Sequence, residues 1–225
     1  LLQLIFQEIA RVPLKVNEIF YSIQGESLYA GLACVFIRLT GCNLRCRYCD
    51  TRYAYSQGID MEIGSILERV AGFKCPLVEI TGGEPLLQQD APMLIDALLD
   101  SGFTVLLETN GSFDLSGINP RCFKIVDLKC PSSGQAERNH LPNLGRLRMT
   151  DQLKCVIGDR KDYDYACRQI AQLPASLPLD HVLFSPVHGQ LPPASLAAWM
   201  LADRLGVRFH VQLHKVIWPN RNRGV

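Results

Sequence analysis

Gly41-Cys42-Asn43-Leu44-Arg45-Cys46-Arg47-Tyr48-Cys49-Asp50-Thr51 carries three cysteines spaced C-x3-C-x2-C. Three thiolates on one loop can converge on a single inorganic centre. A closed structural zinc site takes four protein ligands, whereas three leave a metal position open for chemistry. A cubane 4Fe–4S cluster needs an outer ligand on each iron, so three cysteines leave one iron free to bind a small molecule. Two other readings stand beside this one. Cys46 and Cys49 alone have the spacing of a thioredoxin-like redox pair, which leaves Cys42 unexplained. A zinc site can be completed by Cys34 or Cys75.

Working outward, the loop follows residues 33–39, an apolar, β-branched run that reads as a buried parallel strand. Further strands are expected at residues 15–20, 77–81, 104–108, 123–128, 154–157, 181–184 and 207–211. Helices are expected at 61–73, 92–99, 162–173 and 194–205. Residues 131–148, rich in Ser, Gly, Asn and Pro, read as a flexible loop. Strand–helix alternation with buried strands predicts an α/β fold with a parallel sheet and right-handed crossovers. The cysteine loop, Gly82-Gly83, Asn110 and residues 127–129 all follow strands. That places them on one rim, where parallel α/β folds bind ligands.

The 225 residues suit a single domain with one sizeable core. A formal net charge of +1 gives no field that favours nucleic acid or an anionic membrane. Nine cysteines without a secretory leader argue against a disulfide scaffold and for a reducing cytoplasm. Cys34, Cys75, Cys122, Cys130, Cys155 and Cys167 are scattered and read as buried free thiols. The apolar start Leu1-Leu2-Gln3-Leu4-Ile5-Phe6 is too short and too polar to span a bilayer. Residues 1–14 read as a lead of undecided structure, and residues 220–225 as a tail.

The cysteine spacing, with Tyr48 just before the last thiol, resembles that of radical S-adenosylmethionine (SAM) enzymes. Thr81-Gly82-Gly83-Glu84-Pro85 resembles their second element, which holds the methionine amine. Four further stretches sharpen the match: Asn17-Glu18-Ile19-Phe20-Tyr21-Ser22-Ile23-Gln24-Gly25-Glu26-Ser27, Phe36-Ile37-Arg38-Leu39-Thr40-Gly41-Cys42, Cys49-Asp50-Thr51 and Leu213-His214-Lys215. Together they resemble the 7-carboxy-7-deazaguanine synthase family of the queuosine precursor pathway, over residues 16–219. The cysteine triplet alone specifies only the superfamily.

The resemblance implies a partial, open (β/α) barrel with about six parallel strands and fewer helices than usual. It implies a 4Fe–4S cluster on Cys42, Cys46 and Cys49, and SAM bound as a regenerated cofactor. It also implies a radical that takes hydrogen from C6 of 6-carboxy-5,6,7,8-tetrahydropterin. Ring contraction and loss of ammonia then give 7-carboxy-7-deazaguanine. An electron donor such as a flavodoxin and a homodimer belong to the same picture. A radical-generating activase acting on a protein glycine shares the cysteine loop and is the same-class alternative. A non-catalytic iron–sulfur or zinc protein is the other.

For SAM, the resemblance points to Tyr48, Cys49 and Asp50 at the adenine end. Gly82 and Gly83 have no side chains, so their backbone can approach a ligand closely, and Glu84 can accept from an ammonium. Asn110, Asp127 and Lys129 look like ribose or carboxylate contacts, and Ser185-Pro186 like a closing turn. For the pterin, Ile23, Gln24, Gly25 and Glu26 offer donors and acceptors to the ring edge. Arg38 lies inside an apolar strand, so its charge must be paired or reach the rim, and its planar fork suits a carboxylate. Thr81 and His214 join this group through the resemblance. Thr51 reads locally as a helix cap. The resemblance implies instead that it binds a magnesium ion shared with the substrate carboxylate.

Overall fold

The computed structural model describes residues 8–221 and 223–225. The first seven residues of the expected lead, and Asn222 of the tail, lie outside the described residues.

Strand β2 (Ala33–Leu39) joins the two parts of the sheet. On one side it pairs antiparallel with β1 (Pro13–Ile23). On the other it pairs parallel with β4 (Leu77–Gly82). Beyond β4 follow β5 (Thr104–Thr109), β6 (Phe123–Leu128), β7 (Gln152–Ile157), β8 (Val182–Pro186) and the two-residue β9 (Arg208–Phe209), all parallel. Strand β3 (Ile59–Glu62) pairs antiparallel with β1 and forms the other edge. The order β3-β1-β2-β4-β5-β6-β7-β8-β9 leaves the barrel open. The expected set of six parallel strands is present as β2 and β4–β8, with β9 as a short seventh.

The outer face carries the apolar core. Val35, Val78 and Val105 stand in register across β2, β4 and β5, as do Ile37, Ile80 and Leu107 in the next row. Helices α1 (Ile63–Gly72), α2 (Ala91–Asp100), α3 (Arg160–Ile170) and α4 (Pro193–Ala202) supply the apolar residues that flank the sheet. Ile66 and Val70 of α1, Leu94 and Leu98 of α2, and Tyr163 and Ala166 of α3 lie at helical spacing and are buried. Asp159 caps α3 by accepting from the Asp162 N–H at 2.9 Å, which fixes where that helix starts. A short helix, α5 (Leu213–Ile217), returns the chain to the rim.

Three local expectations shift, each because a distant partner decides. Residues 61–62 end strand β3 and do not start a helix, because Ile59 to Glu62 pair with Val16 to Pro13. β1 runs eleven residues and not six, because its first part serves β3 and the remainder β2. The stretch 131–148 is held in place. Its single-turn helices, Pro131–Ser133, Ala136–Arg138 and Leu141–Arg146, are tied to the body by asparagines. Asn143 is buried, donates to Phe113 O at 2.7 Å and accepts from the Leu115 N–H at 3.1 Å. Asn139 donates to Lys129 O at 2.8 Å and accepts from the Lys129 N–H at 2.9 Å. Of the six scattered cysteines, five are buried and Cys167 is half-buried. Among the described residues no helix is long and apolar enough to cross a membrane.

The start of β7 is locked by Asp151, whose side chain is fully buried. It accepts from Lys124 Nζ at 3.2 Å and Arg148 Nη2 at 3.1 Å, and from the backbone N–H groups of both residues. Removing the carboxylate strands the buried Lys124 ammonium. Asp151→Ala is expected to lose about 3–5 kcal/mol of stability. Equilibrium urea unfolding, read as a lower midpoint at unchanged slope, checks this.

Candidate active site

A cavity of about 680 Å³ opens at the C-terminal ends of the parallel strands. Cys42, Cys46 and Cys49 line one end of it and are half-buried. The loop that bears them is shaped by its own backbone. Gly41 takes φ +103°, a left-handed conformation that suits glycine. Its N–H donates to Ala54 O at 2.8 Å, and its carbonyl accepts from the Glu84 N–H at 2.8 Å. The Leu44 N–H points at Cys42 Sγ, 3.4 Å away. The Arg45 guanidinium donates to the Cys42 and Leu44 carbonyls, each at 2.8 Å, and stacks 4.2 Å over the Tyr55 ring. Burial pushes the Cys42 and Cys46 thiols up from the usual thiol range.

Gly82 and Gly83 serve this loop directly. A Cβ on Gly82 would run into the Leu39 carbonyl. One on Gly83 would meet the Gly41 carbonyl and lie 2.7 Å from Cys42 Cβ. The end of β4 therefore packs on the cysteine loop only because both side chains are absent. Glu84 does not line the cavity; it sits one layer behind, fully buried. Its oxygens accept from Leu86 N–H (3.0 Å), Thr109 Oγ1 (2.8 Å) and Asn110 N–H (2.7 Å). Burial pushes its carboxyl up to about 7, against those donors. Its geometry orients Asn110, whose side chain faces Asn43 at 3.0 Å and reaches Cys42 Sγ at 4.0 Å.

Two buried polar atoms at this end, Tyr48 Oη and Asp127 Oδ1, have no partner among the described residues. The other oxygen of Asp127 accepts from Lys129 Nζ at 2.9 Å. Burial alone would lower the Lys129 ammonium, but Asp127 holds it above the usual lysine range. Asp50 lines the cavity and is bound by Lys215 Nζ of α5 at 2.5 Å. Thr51 stands at the cap position of the single turn Arg52–Tyr55, yet its side chain makes no cap bond. Its hydroxyl donates to Asp50 Oδ1 at 2.9 Å instead. Ser185 and Pro186 do not reach the cavity. β8 extends through Pro186, so the rim begins at Val187 and is formed by residues 187–190.

The opposite end of the cavity is walled by charged and amide side chains. Arg38 is both paired and at the cavity. Its Nε lies 2.8 Å from Glu18 Oε1, which also accepts from Tyr53 Oη at 2.9 Å. Gln24 is buried, its amide held between Glu79 and the Glu26 N–H. Glu26 accepts from Lys154 Nζ at 2.7 Å and Gln212 Nε2 at 2.8 Å. Burial alone would raise the Glu26 carboxyl; the Lys154 ammonium instead holds it well below the usual carboxylate range. Ile23, Gly25, Thr81 and His214 line the same end. Gly25 admits the His214 ring, which a Cβ there would strike, and burial lowers His214 from the usual imidazole range.

Sequence reasoning missed Glu79, Glu108 and Lys154, all at the cavity. Their signal was the one that exposed Arg38: a single charge inside an apolar run, as in Leu77-Val78-Glu79-Ile80, Val105-Leu106-Leu107-Glu108 and Leu153-Lys154-Cys155-Val156. Gln212 and Trp218 of the returning chain carried no comparable signal.

Residues 36–121 match the radical SAM superfamily. A 7-carboxy-7-deazaguanine synthase of Chlorobaculum tepidum is 48% identical over 95% of this chain and 98% of its own. One of Koribacter versatilis is 40% identical over 94% of this chain and 100% of its own. The chain belongs to the 7-carboxy-7-deazaguanine synthase family. The crystal structure of QueE from Escherichia coli shares the fold, with a TM-score of 0.73 at 23% identity, over 93% of this chain and 98% of that one.

Synthase family membership within the radical SAM superfamily implies a 4Fe–4S cluster and SAM. The residues present fit both. Three free thiols face one cavity, the donor set that a 4Fe–4S cluster with one open iron needs. Cys34 and Cys75, either of which the alternative zinc reading needs as fourth ligand, are buried away from the cavity. Tyr48 Oη and Asp127 Oδ1, without a partner among the described residues, leave polar groups for a ligand beside the thiols. Gly83→Ala is expected to displace Cys42 and to abolish cluster loading while the sheet still folds. Iron and labile sulfide per chain, measured beside far-ultraviolet circular dichroism, check this.

Proposed function

We propose that this chain is the radical SAM enzyme that converts 6-carboxy-5,6,7,8-tetrahydropterin to 7-carboxy-7-deazaguanine with loss of ammonia, toward queuosine or another 7-deazapurine. The observation that carries the reading is one cavity with three thiols at one end and a guanidinium, amide and carboxylate wall at the other. The curated relatives carry the synthase name, and none of those cited is called an activase.

Cys42, Cys46 and Cys49 hold the cluster. When bound, cluster and SAM supply one-electron chemistry that the side chains lack. The rest is positioning. Gly82 and Gly83 present backbone polar groups to SAM, and Tyr48, Asp50, Asn110, Asp127 and Lys129 surround its polar parts. Glu84 acts from behind by fixing Asn110. Gln24 and Glu26 read the donor and acceptor edge of the pterin, with Thr81 and His214 beside them. Arg38 takes the substrate carboxylate; Glu18 and Tyr53 fix its guanidinium so that little side-chain freedom is lost on binding. Thr51 would hold magnesium together with the substrate. The reading extends to one domain over the whole length, a cytoplasmic homodimer, and an electron donor such as a flavodoxin.

The reading is tested with protein purified and reconstituted without oxygen. Reductant, SAM, magnesium and the carboxylated tetrahydropterin should yield 7-carboxy-7-deazaguanine by mass spectrometry. Cys42→Ala, Cys46→Ala and Cys49→Ala should each abolish SAM cleavage and lower iron content. Cys34→Ala and Cys75→Ala should keep both. Iron lost with Cys34 while Cys42 is dispensable would overturn the ligand assignment.

The magnesium role has its own signature. One neutral hydroxyl binds this ion weakly, so the substrate must supply much of the site. Magnesium and pterin should therefore raise each other's affinity by the same factor. Thr51→Ala should lose that coupling and keep the cluster, and Thr51→Ser should retain part of it. Equal magnesium affinity with and without pterin in the wild type returns Thr51 to a purely local role.

A further inference from the structure

Glu79 lies midway along β4 on the inner face, 1% exposed, and lines the cavity. Gln24 Nε2 donates to its Oε2. Gln24 Oε1 in turn accepts from the Glu26 N–H at 2.5 Å. The Glu26 carboxylate accepts from Lys154 Nζ at 2.7 Å, and the same ammonium donates to Glu108. Glu108 stands beside Glu79 on the adjacent strand β5, close enough for the two carboxyl groups to share a hydrogen bond. These contacts close a ring through Gln24, Glu79, Glu108, Lys154 and Glu26.

A hydrogen bond between two carboxyl groups needs one proton. The partners decide which group carries it. Glu108 and Glu26 each touch the Lys154 ammonium, which favours their charged forms. Glu79 makes no ion pair among the described residues, and its hydrogen-bond partners are an amide and another carboxyl. The titratable groups that face it are Glu108 from β5, Lys154 from β7, Glu26 after β1 and the Cys34 thiol from β2. Only one of these is a cation, and it is engaged elsewhere.

We propose that Glu79 is a positioning residue that carries a proton, donates it to Glu108 and accepts from Gln24, so that the substrate-facing amide and carboxylate keep one orientation. The inference rests on the pterin reading above. With the proton present, Gln24 has its carbonyl turned to the Glu26 N–H and its amine to Glu79. One amine hydrogen and one carbonyl lone pair remain for the ring edge of the substrate. Without the proton, two carboxylates repel across the shared contact and the ring opens. Burial, first, and then the Glu108 charge push the Glu79 carboxyl well above the usual range. The group therefore keeps its proton to a higher pH than an ordinary carboxyl and ionises as pH rises through that raised value. Substrate affinity should fall on the alkaline side.

Glu79→Gln is a neutral isostere: its carbonyl can accept from Gln24 and its amine can donate to Glu108. It should keep the wild-type KM for the pterin at neutral pH and lose the alkaline rise. Glu79→Ala breaks both bonds and should raise KM by about tenfold or more. A second readout needs no substrate. A carboxyl with a raised folded-state pKa contributes stability at low pH that is lost as pH climbs toward that value. The thermal midpoint of Glu79→Gln should thus gain on the wild type as pH goes from about 5 to about 8. A midpoint gap that stays flat with pH, or a Glu79→Gln KM as high as that of Glu79→Ala, overturns the proposal. If the wild type fails to turn over the pterin at any pH, the functional reading falls, and the melting series still decides where the proton sits.

Discussion

The inner face of the sheet depends on one cation. The Lys154 ammonium is 5% exposed and meets carboxylates from three elements: Glu26 after β1, Glu108 on β5 and Asp127 on β6. Taking that charge out of water costs several kcal/mol unless such partners are in place. The partners exist only in one register. Asp127 stands opposite Lys154 in the β6–β7 ladder, and a one-residue slip would turn either side chain to the apolar outer face. The outer rows of valine, isoleucine and leucine supply the driving force for the sheet. The inner charges specify how its strands align.

The two ends of the cavity are built on different principles. At the thiol end, side chains are removed: Gly82 and Gly83 let β4 press against the loop after β2, and the loop is held by backbone bonds and by the Arg45 fork. At the other end, side chains are paired in advance. Arg38 with Glu18, Glu26 with Lys154 and Gln212, and Gln24 with Glu79 are all paired within the protein itself. Pre-paired groups have already lost their rotamer freedom, so binding costs less order. The returning chain links the ends: Lys215 of α5 holds Asp50 beside the cysteines, while its neighbour His214 sits against Gly25.

Much of this was legible in the chain itself. The C-x3-C-x2-C loop, the glycine pair after a strand and the lone arginine within an apolar run each has a local physical meaning. Alternation of strand and helix sufficed for a parallel sheet with its functional loops on one rim. The resemblance carried by the Gln-Gly-Glu, Cys-Asp-Thr and Leu-His-Lys pieces supplied the family, and the relatives bear it out.

What the sequence by itself determined were features set by a residue and its immediate neighbours: periodicity, turn chemistry, ligand spacing and the oddity of a charge among aliphatics. The tertiary structure alone decided which of those charges meet. Glu79, Glu108 and Lys154 are separated by tens of residues and come together only through strand order. That order also drew residues 59–62 into an edge strand and moved the closing turn from Ser185-Pro186 to residues 187–190. Glu84 changed place for the same reason: three donors from its surroundings fill its oxygens and set it behind the wall. Pairing between distant strands and the filling of buried valences are long-range effects, and no local pattern encodes the partner.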